Sequence, residues 1–285
     1  MLKKILKYDL SSVGRIWWII AVSVLGMTVF SSLMMRMVTE QMLVEHPFLM
    51  VIVMLLFVFN IFAIFASAFI TMILVFWRFY KNFFTDEGYL TFTLPVSRKD
   101  LLFSKLLTSL VWNFASAILI VLCFFIMFAL IPPENIFKEI FWAFDIAELS
   151  KVIFGPDVAF GIGWLLLYVV EAVLMITAYV VAFASLVFLC ITLGAMIAKK
   201  AKLITGIGIY YGINVLFSSV AQIISMLFMS LMSSGLSVIL VDAPISATCG
   251  AIALIMLIVC TMISAVAALL YFITLNCLER KLNLP

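Results

Sequence analysis

Long blocks of apolar residues constrain what this chain can fold into more than any other feature of its sequence. Six such blocks occur, and most are longer than the roughly 20 residues with which a helix crosses a bilayer. Lipid offers the backbone no hydrogen-bond partners, and the strict alternation of a membrane barrel is missing from the sequence, so each block is predicted to be a helix. The predicted spans are residues 16–35, 48–77, 101–130, 164–198, 203–231 and 247–275.

The composition leaves little chain for anything else. Of the 285 residues, 67% are hydrophobic and 11% are charged, whereas a soluble domain carries about 25% charged residues. We therefore predict an all-α integral membrane protein with a single transmembrane domain over residues 1–285. A soluble catalytic domain is not expected.

The first fifteen residues have a pattern of their own. Apolar residues recur at helical spacing and lysines occupy the other side, which predicts an amphipathic helix over residues 1–15 that lies on the membrane surface. The apolar side carries Leu2, Ile5, Leu6, Leu10 and Val13, and the polar side carries Lys3, Lys4, Lys7 and Ser11.

Basic residues are distributed unevenly between the segments that flank the predicted spans. In this topology, 14 of the 17 Lys and Arg residues fall on one side of the membrane. Short basic segments remain on the cytoplasmic side, so both termini and residues 78–100 are predicted to be cytoplasmic. Residues 131–163 are predicted to be extracellular, with an amphipathic helix on the outer leaflet or capping an outer vestibule.

The cytoplasmic segment 78–100 reads RFYKNFFTDEGYLTFTLPVSRKD. Ser97 followed by Asp100 is typical of a capping box that opens the third span, and Pro95 ends whatever structure precedes it. A short elbow between two long helices is therefore predicted.

The first half of the same elbow contains turn-forming residues. Thr85 to Glu87 can start a short helix that Gly88 ends. Two interpretations of the whole elbow stay open: a capped loop that carries positive-inside residues, or a docking surface for a cytoplasmic protein.

The stretch YLTFTLPVSRKDLLFSKLL, the basic N-terminal helix and the six spans together resemble the permease subunits of ABC-2 type ATP-binding cassette transporters. The likeness is greatest to compact Gram-positive examples associated with export of antimicrobial peptides, bacteriocins or drugs. It covers the whole chain in topology and residues 78–108 in motif, and Leu94–Leu102 is its most specific part.

The resemblance implies partners as well as a fold. In that family the N-terminal helix and the second-to-third-span loop contact a separate ATPase, and two permeases form the pathway between them. We therefore expect an ABC ATPase subunit, a second permease copy or paralogue, and a lipid bilayer, in a multi-pass arrangement in a bacterial plasma membrane. No nucleic acid partner is expected.

The resemblance also assigns site residues by position. The coupling elbow would be Thr85–Asp100. Its docking residues would be Thr85, Asp86, Glu87, Pro95, Ser97, Arg98, Lys99 and Asp100. No G-x-x-x-x-G-K-[ST] loop occurs in the sequence, so ATP and Mg²⁺ are expected in the partner, and this chain is predicted to be neither an enzyme nor a cofactor-binding protein.

Polar residues within the predicted spans are the remaining candidates. One helix face of span five carries Asn214, Ser218, Gln222 and Ser225. Such groups either line a substrate path or form hydrogen bonds with neighbouring helices. Gly208 and Gly212 form a GxxxG pattern on the same span that favours close helix contact.

Glu171 is the acid within an apolar run. It lies either in an outer vestibule or inside the membrane, depending on which end of the long fourth span is aligned with the bilayer. A proton-relay role is the smaller alternative.

Export of an apolar or amphipathic substrate is the function that the resemblance implies. Two alternatives stay open: a non-transporting immunity or sensor subunit, and a secondary transporter driven by an ion gradient. An intramembrane metalloprotease is excluded, because its HExxH motif needs two histidines and the chain has one.

Overall fold

A computed structural model describes residues 2–37, 47–85, 87–88, 93, 96–130, 162–198, 201–231 and 245–280. Six long helices make up nearly all of these ranges, and no strand occurs within them. The helices are α1 (Leu2–Arg36), α2 (Pro47–Phe84), α3 (Arg98–Leu130), α4 (Ile162–Ile197), α5 (Lys202–Leu231) and α6 (Ile245–Arg280). Each is long and apolar enough to cross a membrane, which confirms the predicted all-helical fold with six candidate spans.

The helices extend beyond the predicted spans, because backbone hydrogen bonding continues where the apolar block has ended. The clearest difference is α1, which is one unbroken helix from Leu2 to Arg36. The division into a surface helix over 1–15 and a separate span is therefore absent. Val13 is 2% exposed and Leu10 packs against the same core, so part of the apolar side predicted to rest on lipid is used for packing inside the protein.

The contacts divide the chain into two compact units, Met1–Asp145 and Ile146–Pro285. Each unit contains three of the long helices and has its own packing. Residues 131–161 of the predicted extracellular segment lie outside the described residues.

In the first unit, α1 and α3 run parallel and α2 runs antiparallel to both. The Trp17 indole donates a hydrogen bond to Ser116 Oγ at 3.3 Å, and Asp9 contacts Lys105 earlier in both helices, as expected of a parallel pair. The apolar core of the first unit is formed by Val13, Trp17, Ala21, Val24, Met35, Phe57, Ile64, Val75, Trp112, Leu119, Cys123 and Met127.

In the second unit, α4 and α5 form an antiparallel hairpin and α6 packs along α4. The hairpin depends on two glycines. A Cβ added at Gly194 would lie 2.5 Å from the Gly206 backbone nitrogen, and one at Gly206 would lie 3.1 Å from the Cys190 carbonyl oxygen. The two backbones therefore cross at a distance that only glycine allows.

Large apolar side chains cover the outside of both units. Phe62, Phe125 and Leu254 are between 60% and 75% exposed. A water-soluble protein rarely exposes continuous apolar surface on this scale. Together with the six candidate spans, this surface defines a protein that is solvated by lipid.

Candidate functional site

The elbow follows a cluster of aromatic rings at the end of α2. Phe79 and Phe83 are fully buried, and their rings stack with centroids 4.9 Å apart. Phe84 is 8% exposed and packs edge-on against Phe79 with a centroid distance of 5.9 Å. These rings anchor the end of α2, so the elbow begins from a fixed point.

The first half of the elbow turns back on α2 through short-range contacts. The Thr85 hydroxyl donates to the Lys81 carbonyl at 2.5 Å, and the Gly88 N–H donates to the Thr85 carbonyl at 2.7 Å. A Cβ added at Gly88 would lie 2.7 Å from the Phe83 carbonyl oxygen. The turn therefore needs glycine at this position, and Glu87 and Gly88 are helical as predicted.

An ion pair of 2.8 Å joins Lys81 to Glu87 across this turn, with both side chains about half exposed. An exposed pair of this kind contributes at most about 1 kcal/mol. Its main effect is to hold charges of both signs on the elbow surface. Asp86 lies outside the described residues.

The second half of the elbow ends in the predicted helix cap. Ser97 Oγ accepts a hydrogen bond from the Asp100 N–H at 3.1 Å, and the Ser97 carbonyl accepts one from the Leu101 N–H at 3.1 Å. α3 starts at Arg98, so Ser97 is its N-cap, as predicted. Pro95 lies outside the described residues.

Four of the predicted docking residues present charge at this end of the unit. Glu87, Lys99 and Asp100 are exposed, and Arg98 is half-buried. Mixed charges on a short, anchored turn can form complementary ion pairs with a protein partner, which favours specificity and rapid association over affinity.

A buried ion pair fixes α1 to the helix that follows the elbow. Lys105 Nζ lies 2.5 Å from Asp9 Oδ1, with side-chain exposures of 6% and 3%. Ser104 Oγ lies within 3.4 Å of Asp9 Oδ2 and also donates to the Leu101 carbonyl at 2.8 Å. Lys105 lies about two helical turns after the Ser97 cap, so the pair joins α1 to α3 close to the elbow.

A third charge lies beside this pair. Arg78, at the end of α2, lines a small cavity of about 10 Å³ together with both members of the pair. Its Nε is buried and has no hydrogen-bond partner among the described residues. The cavity is about the size that holds one water molecule, and a water there can join the three charged side chains of the three helices.

Neither Asp9 nor Lys105 was singled out from the sequence. Asp9 is the lone acid among the basic residues of the N-terminal segment, and Lys105 is the lone cation in the apolar block that starts at Leu101. An isolated charge in each of two segments is a signal for a pair, because a buried charge without a partner is costly. Which two segments meet is visible only in the fold.

The residues predicted to line a pathway lie along one exposed face of α5. Asn214, Ser218, Gln222 and Ser225 are all exposed. Ser218 Oγ donates to the Val215 carbonyl at 3.0 Å, and Ser225 Oγ donates to the Gln222 carbonyl at 2.8 Å. Their hydroxyl protons are thus used within α5, and the structure brings no second polar face against them in the described part of the second unit.

Two further sequence candidates also lie in the second unit. One oxygen of the half-buried Glu171 is buried without a hydrogen-bond partner among the described residues. Gly208 and Gly212 have open space where a Cβ would be, so the predicted GxxxG contact is not made in the described part of the chain. The close approach instead uses Gly194 and Gly206.

Buried polar groups instead run through the first unit, where the sequence analysis did not place them. Thr28 Oγ1 lies 3.2 Å from Asn60 Oδ1, and Asn60 Nδ2 lies 3.8 Å from Met127 Sδ. These three residues come from α1, α2 and α3 in turn. The hydrogen bonds therefore fix the relative register of all three helices.

Within the described ranges, no group of three or more His, Cys, Asp and Glu side chains is placed to hold a metal ion. Comparison with family models, with curated proteins and with solved structures finds no match to this chain. The fold and its apolar surface define the class: a multi-pass, all-helical membrane protein. Within this class, the elbow and the buried Asp9–Lys105 pair are the features that bear on function.

Proposed function

We propose that this chain is the permease subunit of an ABC-2 type transporter and that a separate ATPase docks on the elbow Thr85–Asp100. The observation that carries the proposal is the Asp9–Lys105 ion pair, because it locks the helix that starts at the elbow to the basic N-terminal helix. Force applied at the elbow would thus move two helices of the first unit together.

The anchoring of the elbow supports the same function. Its start is held by the stacked rings of Phe79 and Phe83, and its end is capped by Ser97. A loop that only connected two spans would need neither an anchor at both ends nor exposed charges of both signs. A partner that pushes or pulls on the elbow needs all of these features.

The proposal includes the setting of the subunit. Two permeases, either two copies or a copy and a paralogue, form the pathway, and the substrate is apolar or amphipathic. The protein lies in a bacterial plasma membrane with both termini in the cytoplasm, which the 14-to-3 distribution of basic residues supports.

Co-purification with the ATPase tests the proposal. The chain is co-expressed with a candidate ABC ATPase of the same organism and extracted in mild detergent, and the ATPase is expected to remain bound. Reversal of two charges at the elbow, Arg98→Glu with Lys99→Glu, is expected to release it. An ATPase that never co-purifies with the wild-type chain contradicts the proposal.

A matched control distinguishes docking from general charge. The double variant Lys199→Glu with Lys200→Glu changes the net charge equally, on the side of the membrane that the charge pattern predicts to be the same, and is expected to leave the ATPase bound. Equal loss in both variants would point to nonspecific attraction between a basic membrane protein and an acidic partner.

Ion-coupled transport is the second candidate, and Glu171 is the observation that favours it. One of its oxygens is buried and unpartnered among the described residues, as in a group that exchanges a proton with its surroundings. Uptake or efflux that continues without ATP but stops when the proton gradient is collapsed would support this candidate over the ABC permease.

A further inference from the structure

A groove lies along the first part of α1, on the side away from Asp9. It has a volume of about 580 Å³ and is largely open to its surroundings. All but one of its lining residues belong to α1, and the exception is Trp112 of α3. The lining residues are Lys3, Leu6, Lys7, Leu10, Ser11, Gly14, Arg15, Trp18 and Trp112.

The charge of this groove is of one sign. Lys3, Lys7 and Arg15 line it, and no acidic side chain does. The nearest acid on the same helix, Asp9, is buried and is already paired with Lys105. The groove therefore presents three cations that no acidic side chain lining it neutralises among the described residues.

Trp112 forms the apolar wall of the groove. A Cβ added at Gly14 would lie 3.1 Å from two carbons of the Trp112 ring, so glycine lets the indole lie directly against α1. Trp112 is 9% exposed, so its ring closes the protein side of the groove.

The groove ends where the lipid-facing part of α1 begins. Trp18 closes it and is 64% exposed, and the apolar stretch of α1 follows directly. Exposed tryptophan is typical of the head-group level of a bilayer. The cations extend from Arg15, about 4.5 Å before Trp18, to Lys3, about 22 Å before it, along the part of α1 that leaves the hydrocarbon.

From these observations we propose that the groove binds the phosphate head group of an anionic glycerophospholipid. The phosphate lies against Arg15, the rest of the head group extends toward Lys7 and Lys3, and the acyl chains lie along Trp18. This site is independent of ATPase docking at the elbow. It anchors the first unit in the leaflet and fixes the depth of α1.

Stabilisation by lipid tests the site. The full chain in a neutral detergent is titrated with phosphatidylglycerol or with phosphatidylcholine of the same acyl chains, and the melting temperature is followed. Phosphatidylglycerol is expected to stabilise it saturably and phosphatidylcholine is not. Inorganic phosphate in place of lipid is expected to have no effect, because the groove also needs the acyl chains.

The triple variant Lys3→Gln, Lys7→Gln, Arg15→Gln is expected to bind phosphatidylglycerol roughly a hundredfold more weakly, because each basic side chain near an anionic surface contributes roughly a factor of five. If the triple variant does not purify as a monodisperse particle, Lys7→Gln alone carries the test, with a loss of about fivefold. Unchanged affinity in a folded variant would overturn the proposal.

A control of equal charge separates the groove from diffuse attraction. The variant Lys4→Gln, Lys199→Gln, Lys200→Gln also removes three positive charges; Lys4 is not among the residues that line the groove, and Lys199 and Lys200 belong to the second unit. It is expected to keep wild-type affinity for phosphatidylglycerol. An equal loss in both triple variants would overturn the proposal, since it would mean that net charge alone attracts the lipid.

If the groove variants release the ATPase and leave lipid binding unchanged, the groove is a protein-docking surface and the lipid proposal is wrong.

Discussion

The two halves of this protein contain the same number of long helices but hold them together by different means. The first unit buries charged and polar groups between its helices, among them the Asp9–Lys105 pair and the Thr28–Asn60 contact. The second unit brings two backbones together at Gly194 and Gly206 and leaves the polar face of α5 exposed.

This difference has a physical consequence. Hydrogen bonds and ion pairs are directional and satisfied in one register only, so the first unit is built to keep its three helices in a fixed arrangement. Close packing of small residues depends on shape and carries no directional bond. The unit that carries the elbow is thus the one whose helices are joined by directional contacts.

The largest effect on stability is expected when one partner of the buried ion pair is removed. Lys105→Met leaves Asp9 buried without its partner, and the free energy of unfolding is expected to fall by about 3–5 kcal/mol. Denaturant titration in detergent measures this. The exposed Lys4→Met is the control and is expected to change little.

Removal of both charges is a second test of whether the two side chains interact. The double variant Asp9→Leu with Lys105→Met is expected to recover most of the lost stability, because a buried ion pair is often no more stable than apolar residues of similar volume. A double variant that is as unstable as the sum of the two single variants would show that the side chains do not interact.

The next largest effect is expected in the second unit. Gly194→Ala places a methyl group 2.5 Å from the Gly206 nitrogen, so the α4–α5 hairpin must open, at a cost of about 1–3 kcal/mol. Gly208→Ala on the same hairpin meets open space and is expected to stabilise α5 by about 0.5–1 kcal/mol. Thermal unfolding of the two variants should therefore shift in opposite directions.

Substitutions at two asparagines compare a buried polar group of the first unit with an exposed one of the second unit. Asn60→Ala removes the hydrogen bonds that join α2 to Thr28 and Met127 and is expected to cost about 0.5–1.5 kcal/mol per bond. Asn214→Ala changes an exposed residue of the second unit and is expected to stay within about 0.5 kcal/mol. Equal effects would contradict the distinction drawn between the two units.

The smallest effect is expected at the helix cap. Ser97→Ala removes the acceptor of the Asp100 N–H and should destabilise the start of α3 by about 1 kcal/mol. Faster hydrogen exchange at Asp100 is the readout. Ser97→Asp keeps an acceptor at the cap and should restore the wild-type exchange rate.

Much of this architecture could be predicted from the sequence, because apolar blocks and helix caps are local signals. The six helices and the Ser97 cap follow from residues that are close together in the chain. The helix boundary expected after residue 15 is absent, because packing of Val13 in the unit core continues the helix through that point.

The contacts between distant segments could not be predicted in the same way. Asp9 and Lys105 are far apart in sequence, and each looks like an ordinary charge near the end of an apolar block. The sequence also drew attention to Gly208 and Gly212, since spacing alone cannot show which glycines meet another helix. Docking at the elbow, assembly with a second permease and the cytoplasmic location of the termini stay predictions.

Coupling between the elbow and α1 can be measured through ATP hydrolysis by the bound partner. The variant Asp9→Leu with Lys105→Met leaves every elbow residue intact, so the ATPase should still bind. The stimulation of ATP hydrolysis by the permease is expected to fall several-fold in this variant, because the elbow no longer moves α1. Full stimulation with the pair removed would contradict it.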